Sequence, residues 1–471
     1  MFDELKKYLF LIIFFKLDWF CFRYPMDTFL TVNVENDLIN DSWLKFNNTD
    51  SNLQLYLHSI YCWTRCSYCD CKTFIKSDNS DFLKYKEYII YQIKYYWTII
   101  TKPLNSIYFW WWTFNIWPDE YIIEICEEIR KNFKFADELI WQVEIQPYYL
   151  SENTLNILKS YWVTDIMLWI QTFSEKVNKL NNRNFDLNKI DLAINNIINL
   201  NFRKVSFDMM YNLPYMTVSD LISDMEKMYE YWIKLKNNNI NVNFEPNRWD
   251  ISMRTTFWSL FLNKYWKEKF LNICKYYIKN SERLVRIVDK YIDNKFIWLF
   301  DTKREEIEER KVKNTAILWI WLTSTSHIPW MLVYEDLNYS WWKDKTFKYK
   351  WYILENSDIE LFYILENLNI TRWIDKNVFE SSLKIHSKLN DFYINYKSNF
   401  KVNEKWNIYV DFKSDKELDL LNIYLIKDNI RDEQLKQILD KWLKMGFNIE
   451  ELEYYNNIFL DYYYNRNKFY W

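Results

Sequence analysis

A single glycine, Gly446, stands in a chain of 471 residues that also holds 26 tryptophans. At an ordinary usage of about 7%, a chain this long would carry roughly 33 glycines. Glycine ends helices in the left-handed region and lets a backbone approach a ligand, because it has no Cβ. A fold of this size is hard to build without it. Several tryptophans stand where glycine belongs. Trp162 closes a helical stretch ahead of an apolar run, Trp169 precedes Ile170-Gln171, and Trp319 and Trp321 punctuate another apolar run. The expectation is that the source reads UGA as glycine, so that most of these tryptophans mark glycine positions. A protein truly rich in tryptophan is the alternative.

From Leu53 to about Phe244, short apolar runs alternate with longer helical stretches. Strands are predicted at Leu53–Ser59, Ser106–Phe109, Leu139–Ile145, Asp165–Ile170, Lys204–Met209 and Ile240–Phe244. Helices are predicted near Phe82–Ile100, Glu120–Asn132, Ser151–Ser160, Lys189–Leu200 and Ser219–Lys234. Repeated β-then-α units predict an α/β fold with a parallel sheet and helices on its outer face. Six units fall short of eight, so a partial, open (β/α)6 TIM-like barrel is expected, with its site at the C-terminal ends of the strands. After about Asn247 the rhythm breaks down. Glu305–Lys313 is strongly charged, and Ala316–Ile328 reads as a further strand and turn. From about Tyr349 the chain reads as mostly helical, with a hairpin near Phe400–Phe412. The expected division is an N-terminal arm (1–50), a core (51–330) and a smaller helical domain (331–471).

The net charge of −3 and pI near 5.9 give no reason to expect nucleic acid or an anionic membrane as a partner. Tyr8–Phe15 is apolar, but Asp3 and Glu4 spoil a basic leader, no small-residue cleavage site follows, and the run is too short to span a bilayer. Seven cysteines, four of them within Cys62–Cys71, fit a reducing, cytoplasmic compartment and a metal cluster better than a disulfide framework. A monomer is expected.

Cys62, Cys66 and Cys69 form a CxxxCxxC just after the first predicted strand. Three thiolates at this spacing can hold three irons of a [4Fe–4S] cluster and leave the fourth iron open to a small molecule, for which S-adenosylmethionine (SAM) is the usual partner. Zinc competes, but a zinc ribbon needs a second ligand pair, and the chain has only His58, His327 and His386. Cys71 as a fourth ligand would close the cluster and leave it fit only to carry electrons; otherwise it sits near the substrate. Cys21, Cys126 and Cys274 are isolated and read as buried thiols.

The stretch Tyr56–Cys71 resembles the radical-SAM superfamily, and within it the oxygen-independent coproporphyrinogen III oxidases and their haem-chaperone relatives. The resemblance runs roughly from Tyr24 to Ile328. It continues more weakly into Asn369–Asp375, where Trp373 replaces an expected glycine. Asp208-Met-Met-Tyr-Asn-Leu-Pro214-Tyr-Met-Thr217 resembles a signature of that family, and Tyr56 with His58 follows its Tyr-x-His pattern. The resemblance implies a [4Fe–4S] cluster on Cys62, Cys66 and Cys69. It also implies one or two SAM molecules held by Tyr56, Tyr68, Trp111, Trp112, Thr113, Glu144, Gln171, Arg183 and Asp208. Trp110-Trp111-Trp112-Thr113 matches a Gly-Gly-Gly-Thr loop; as literal tryptophans these side chains would fill the space of the ligand. Singly, Glu144 or Asp208 is more often a helix cap, and Arg183 a surface ion pair. As a set on successive strand ends they suit SAM, with an acid for ribose hydroxyls and a guanidinium fork for a carboxylate.

The implied activity is reductive cleavage of SAM to a 5′-deoxyadenosyl radical that oxidises propionates of a porphyrinogen to vinyl groups in haem biosynthesis. The implied electron donor is a flavodoxin or ferredoxin. A cysteine at position 71 is similar to the oxidases, where the chaperones usually carry an aromatic. No His-Asn-x-x-Tyr-Trp motif of the chaperones is present, and Lys303–Asn314 is unlike the oxidases' substrate segment. The porphyrinogen therefore rests on analogy. A haem chaperone of the same family and a radical-SAM methyltransferase are the alternatives. Sequencing the coding DNA should find UGA at Trp110, Trp111 and Trp112; UGG at these positions would end the recoding idea.

Overall fold

The computed structural model describes residues 31–32, 36–59, 61–69, 74–75, 79–110, 114–248, 315–320, 325–328, 331–335, 349–353, 373–402 and 407–410, besides a few isolated positions. Cys21, Cys71, Trp111, Trp112, Thr113, Cys274 and Lys303–Asn314, all singled out in the sequence, lie outside these residues.

After β1 (Thr31–Val32) and α1 (Asn36–Phe46) come β2 (Leu53–His58), β3 (Tyr61–Cys62), β4 (Phe74–Ile75), α2 (Asn79–Trp97), β5 (Leu104–Trp110) and α3 (Asp119–Asn132). The chain continues through β6 (Phe135–Ile145), α4 (Glu152–Ser160), β7 (Asp165–Gln171), α5 (Glu175–Leu180) and α6 (Leu187–Asn199). Next are β8 (Lys204–Tyr211), α7 (Val218–Lys236) and β9 (Asn241–Arg248). The six strands predicted between Leu53 and Phe244 are β2, β5, β6, β7, β8 and β9, lying side by side in that order and all parallel. Parallel strands flanked by helices bury both faces, which explains why β2 and β7 are buried along their whole length.

A seventh parallel strand, β10 (Ala316–Ile320), returns to the free edge of β2 and pairs Ala316 with Leu53 through Ile320 with Leu57. Beyond it β11 (Thr325–Ile328), β12 (Met331–Glu335), β13 (Tyr349–Ile353) and β1 continue the sheet in antiparallel order. The result is an eleven-stranded sheet ending at β1 on one side and β9 on the other. It is the expected partial barrel, widened by one parallel strand. Downstream, β14 (Trp373–Asp375), α8 (Lys376–Ile385), α9 (Ser387–Asn395), β15 (Phe400–Val402) and β16 (Asn407–Val410) form a small unit in which β15 and β16 pair as a hairpin.

Side chains close the helix starts. Ser151 accepts from the Thr154 N–H, Asp186 from Asn188 and Lys189, and Thr217 with Asp220 makes a reciprocal capping box. The helix ends show how the chain manages without glycine. After α5, α6 and α7 the chain turns through Asn182 (φ 56°), Asn201 (φ 51°) and Asn239 (φ 60°). Each such turn returns two N–H groups to the last carbonyls: Asn201 N–H to Ile198 and Phe202 N–H to Ile197, for example. After α4 the same two bonds form, Trp162 N–H to Lys159 and Val163 N–H to Leu158, but the left-handed residue is Trp162 at φ 69°. Asparagine tolerates this region; a residue as bulky as tryptophan is an outlier there.

Placing Trp162 in the left-handed region costs about 1–2 kcal/mol. Its ring recovers part of this, because the Arg130 guanidinium lies 4.0 Å from the ring centroid, an exposed cation–π contact worth about 0.5–1 kcal/mol. Trp162→Gly should therefore stabilise the chain by up to about 1 kcal/mol in urea unfolding, whereas Trp162→Ala should not.

Candidate cofactor site

The cysteine loop begins where β2 ends. β3 carries Tyr61 and Cys62, and the Cys69 N–H donates to the Cys66 carbonyl at 3.1 Å to close the turn between the other two cysteines. Cys62, Cys66 and Cys69 are all buried, and none of them is in a disulfide. Burial pushes the Cys66 thiol up, with Cys69 adding to the effect and Arg183 opposing it; a metal that takes thiolates has to displace that proton. Among the described residues no set of His, Cys, Asp and Glu is gathered tightly enough to hold a single metal ion. A zinc ion draws its ligands around one point. A cubane cluster takes one thiolate at each of three separate irons, and a buried loop of three spaced thiols fits that group.

Arg183 is 4% exposed and reaches the same loop from 117 residues away, with Nη1 3.8 Å from Cys66 Sγ. Its Nη2 donates to the Trp169 carbonyl, and its guanidinium lies 5.7 Å from the Tyr148 ring centroid. Tyr68, also buried, has its hydroxyl held well above the usual range by burial, and Tyr148 is pushed up to about 12 for the same reason.

The strand ends supply the rest. Tyr56 on β2 stacks on Tyr108 of β5 at 6.0 Å, and its hydroxyl is 3.4 Å from His58 Nδ1. The Tyr108 hydroxyl donates to Glu144 Oε1 at 2.9 Å and accepts from Gln142 Nε2 at 3.0 Å. This orients the buried carboxylate of Glu144 near the end of β6. On β7 the ladder slips by one residue between Trp169 and Gln171. Gln171 takes φ 67°, and the Thr172 N–H folds back onto the Ile170 carbonyl at 2.9 Å. A bulge of this kind re-aims a side chain. Gln171 Nε2 meets Asp208 Oδ2 of β8, while its Oε1 is buried with no partner among the described residues. A buried amide oxygen without a partner can accept a hydrogen bond from a bound molecule.

Tyr56, Glu144, Gln171 and Asp208 thus line neighbouring strands of one sheet, and Arg183 with Tyr68 joins them to the cysteine loop. Tyr108 and Gln142, which hold Glu144, are absent from the sequence-based set. The alternation Ser106-Ile107-Tyr108 puts a polar ring on the Tyr56 side of β5 and was the available signal. Asp224 is a further omission. It is 2% exposed on α7, and its Oδ1 accepts from the Phe173 N–H at 2.7 Å, bracing the turn that follows Gln171.

Residues 56–228 match the model of the Radical SAM superfamily. The chain carries a radical-SAM domain. Over part of its length it is similar to oxygen-independent coproporphyrinogen III oxidases and to haem chaperones. It is 24% identical over 183 residues to the heme chaperone HemW of Buchnera aphidicola subsp. Schizaphis graminum, covering 38% of this chain and 48% of that protein. It is 20% identical over 179 residues to the oxygen-independent coproporphyrinogen III oxidase of Salmonella typhimurium, covering 38% and 39%. The match thus spans half or less of the length of these curated relatives. The solved coproporphyrinogen III oxidase of Escherichia coli superposes with a TM-score of 0.69 at 12% identity, over 86% of this chain and 96% of that one, so the fold is shared. No helix among the described residues is long and apolar enough to cross a membrane.

Burial pushes Asp224 up to about 7. A carboxyl whose folded value exceeds its unfolded value of about 4 favours the folded state below that unfolded value, and the benefit is lost as pH rises to about 7. Asp224→Asn keeps an oxygen for the Phe173 N–H and does not ionise. In urea unfolding, its stability relative to the parent chain should climb between pH 4 and 7; parallel pH curves would refute this assignment.

Proposed function

We propose that the chain is a radical-SAM oxidoreductase acting on a porphyrinogen-like tetrapyrrole, with a [4Fe–4S] cluster on Cys62, Cys66 and Cys69. The observation that carries this reading is the buried loop of three cysteines, none in a disulfide, that follows β2 of the sheet whose strands present Glu144, Gln171 and Asp208. When bound, the cluster supplies the electron that splits SAM into methionine and a 5′-deoxyadenosyl radical, which takes a hydrogen atom from substrate. The chain's own residues bind, orient and shield. Glu144, steered by Tyr108, accepts from the amine or ribose hydroxyls of SAM; Asp208 and Gln171 do the same from the next strands, and the Gln171 oxygen gains its missing donor. Burial of the whole set keeps water from an unselective radical. A flavodoxin or ferredoxin in a reducing cytoplasm suits the electron supply, and the oxidase reading draws support from Cys71.

A haem chaperone is the second reading, favoured by the similarity to HemW proteins. The proposal extends to the translation of the chain: Trp110, Trp111, Trp112, Trp162 and most other tryptophans are glycines in the native protein. The left-handed turn at Trp162 supports this, and so do Trp43 and Trp141, whose fully buried indole N–H groups have no acceptor among the described residues. Trp117, whose indole donates to Ser59 Oγ at 2.8 Å, behaves as a true tryptophan. A glycine loop at 110–112 would let the backbone reach SAM beside Thr113.

Anaerobic reconstitution should give about four irons per chain and, with dithionite and SAM, release of 5′-deoxyadenosine. Cys66→Ala should lose both, and Glu144→Gln should weaken SAM binding by roughly 10- to 100-fold, the worth of a charged hydrogen bond. A chain that takes up one zinc and no iron would overturn the proposal. Coproporphyrinogen converted to a vinyl product marks the oxidase; a Soret shift on adding haem without such a product marks the chaperone.

A further inference from the structure

The turn that ends α5 is seated on the middle of the cysteine loop. The Ser67 N–H donates to the Asn181 carbonyl at 3.0 Å, and the Ser67 hydroxyl donates to Asn181 Oδ1 at 2.5 Å. Next to it, Asn182 Nδ2 donates to the Arg65 carbonyl at 3.1 Å, and the Arg183 guanidinium lies against Cys66. Asn181 is itself fixed from behind, its Nδ2 donating to the carbonyls of Val177 and Pro214, both at 2.9 Å. Three consecutive residues therefore grip three consecutive residues of the loop. Asn182, between Asn181 and Arg183, takes the left-handed region at φ 56°.

The charge in this grip is unusual. Arg183 is almost wholly buried, and its hydrogen bonds go to a thiol, a carbonyl and the Tyr148 hydroxyl. Its Nε is buried and makes no hydrogen bond among the described residues. A guanidinium does not lose its proton, and a buried cation is expensive unless an anion faces it.

We infer that Asn181–Arg183 is a positioning element for the cluster, holding Arg65–Ser67 in place and setting a permanent positive charge beside Cys66 that raises the reduction potential of the bound cluster. The inference rests on the proposed cluster. A cubane with three thiolates carries one negative charge when oxidised and two after accepting one electron. A cation beside a ligand sulfur stabilises the second state more than the first, and an N–H directed at the sulfur acts the same way.

The test uses the full chain, reconstituted anaerobically with iron and sulfide. The cluster is titrated with dithionite as the one-electron donor and followed by electron paramagnetic resonance. Arg183→Gln should retain the parent's iron content but reduce at a more negative potential, and Arg183→Lys should recover most of the shift. Arg183→Met, which keeps the bulk without the charge, should match Gln and serves where the Gln variant does not fold. Asn181→Ala should lose iron faster to a chelator at an unshifted potential. Neutral variants that hold iron and reduce at the parent's potential would overturn the inference and leave the proposed function standing. A parent chain that binds no cluster would overturn the proposed function itself.

Discussion

A guanidinium stripped of water has to be given negative company, and around Arg183 that company is sulfur and phenol. Its ionisable neighbours are Cys66, Tyr68 and Tyr148. None of these is an anion at neutral pH in the absence of metal, since burial holds all three in their protonated forms. The charge balance of the protein alone is thus unfinished. Thiolates on a metal cluster, and the carboxylate of a bound amino-acid-like ligand, are the groups that would complete it. Binding the cofactor and stabilising the core around Arg183 become one event, because both depend on the same anion arriving at the same place.

The parallel sheet makes this meeting possible. In a parallel sheet every strand presents its C-terminal end on the same side, so Tyr56, Glu144 and Asp208, distant in sequence, lie on strands that all run the same way, Glu144 two residues and Asp208 four residues beyond the Tyr56 row. Tyr56 pairs with Tyr108, Tyr108 with Gln142, and Trp169 with Asp208. Where regular register would aim a side chain wrongly, the chain accepts a distortion. The slip at Ile170 and the positive φ of Gln171 cost conformational energy that the brace from Asp224 to Phe173 helps to offset.

The parts legible in the sequence were those that local chemistry repeats. The cysteine spacing named the loop, and alternating apolar runs located six strands because buried parallel strands are apolar throughout. Glu144, Gln171 and Asp208 were picked out by the resemblance to the radical-SAM family, which their place at the ends of such runs supported. What escaped was set by long-range pairing. β10 completes the parallel set from beyond position 315, and nothing in Ala316–Ile320 declares that it will join β2 in parallel rather than continue a hairpin. Tyr108 and Gln142 act through each other across two strands. Asp224 reads as one more polar residue on an amphipathic helix, and only the packing of α7 against the β7 turn reveals its role. Arg183 was legible as a candidate, but its neighbour Cys66 was not, because a turn 117 residues downstream delivers it.

The left-handed turns tie these strands of argument together. After α5, α6 and α7 an asparagine takes the position, and after α4 a tryptophan does, with the same pair of hydrogen bonds in each case. The hydrogen bonds are a property of the backbone and are indifferent to the side chain; the conformational cost is a property of the side chain and falls on tryptophan most heavily. Evolution of a working helix end therefore selects the small residue, and three of four ends obey. The fourth carries a half-exposed indole where a hydrogen atom would suffice. The recoding proposed above would relieve this turn, because glycine takes the left-handed region without strain.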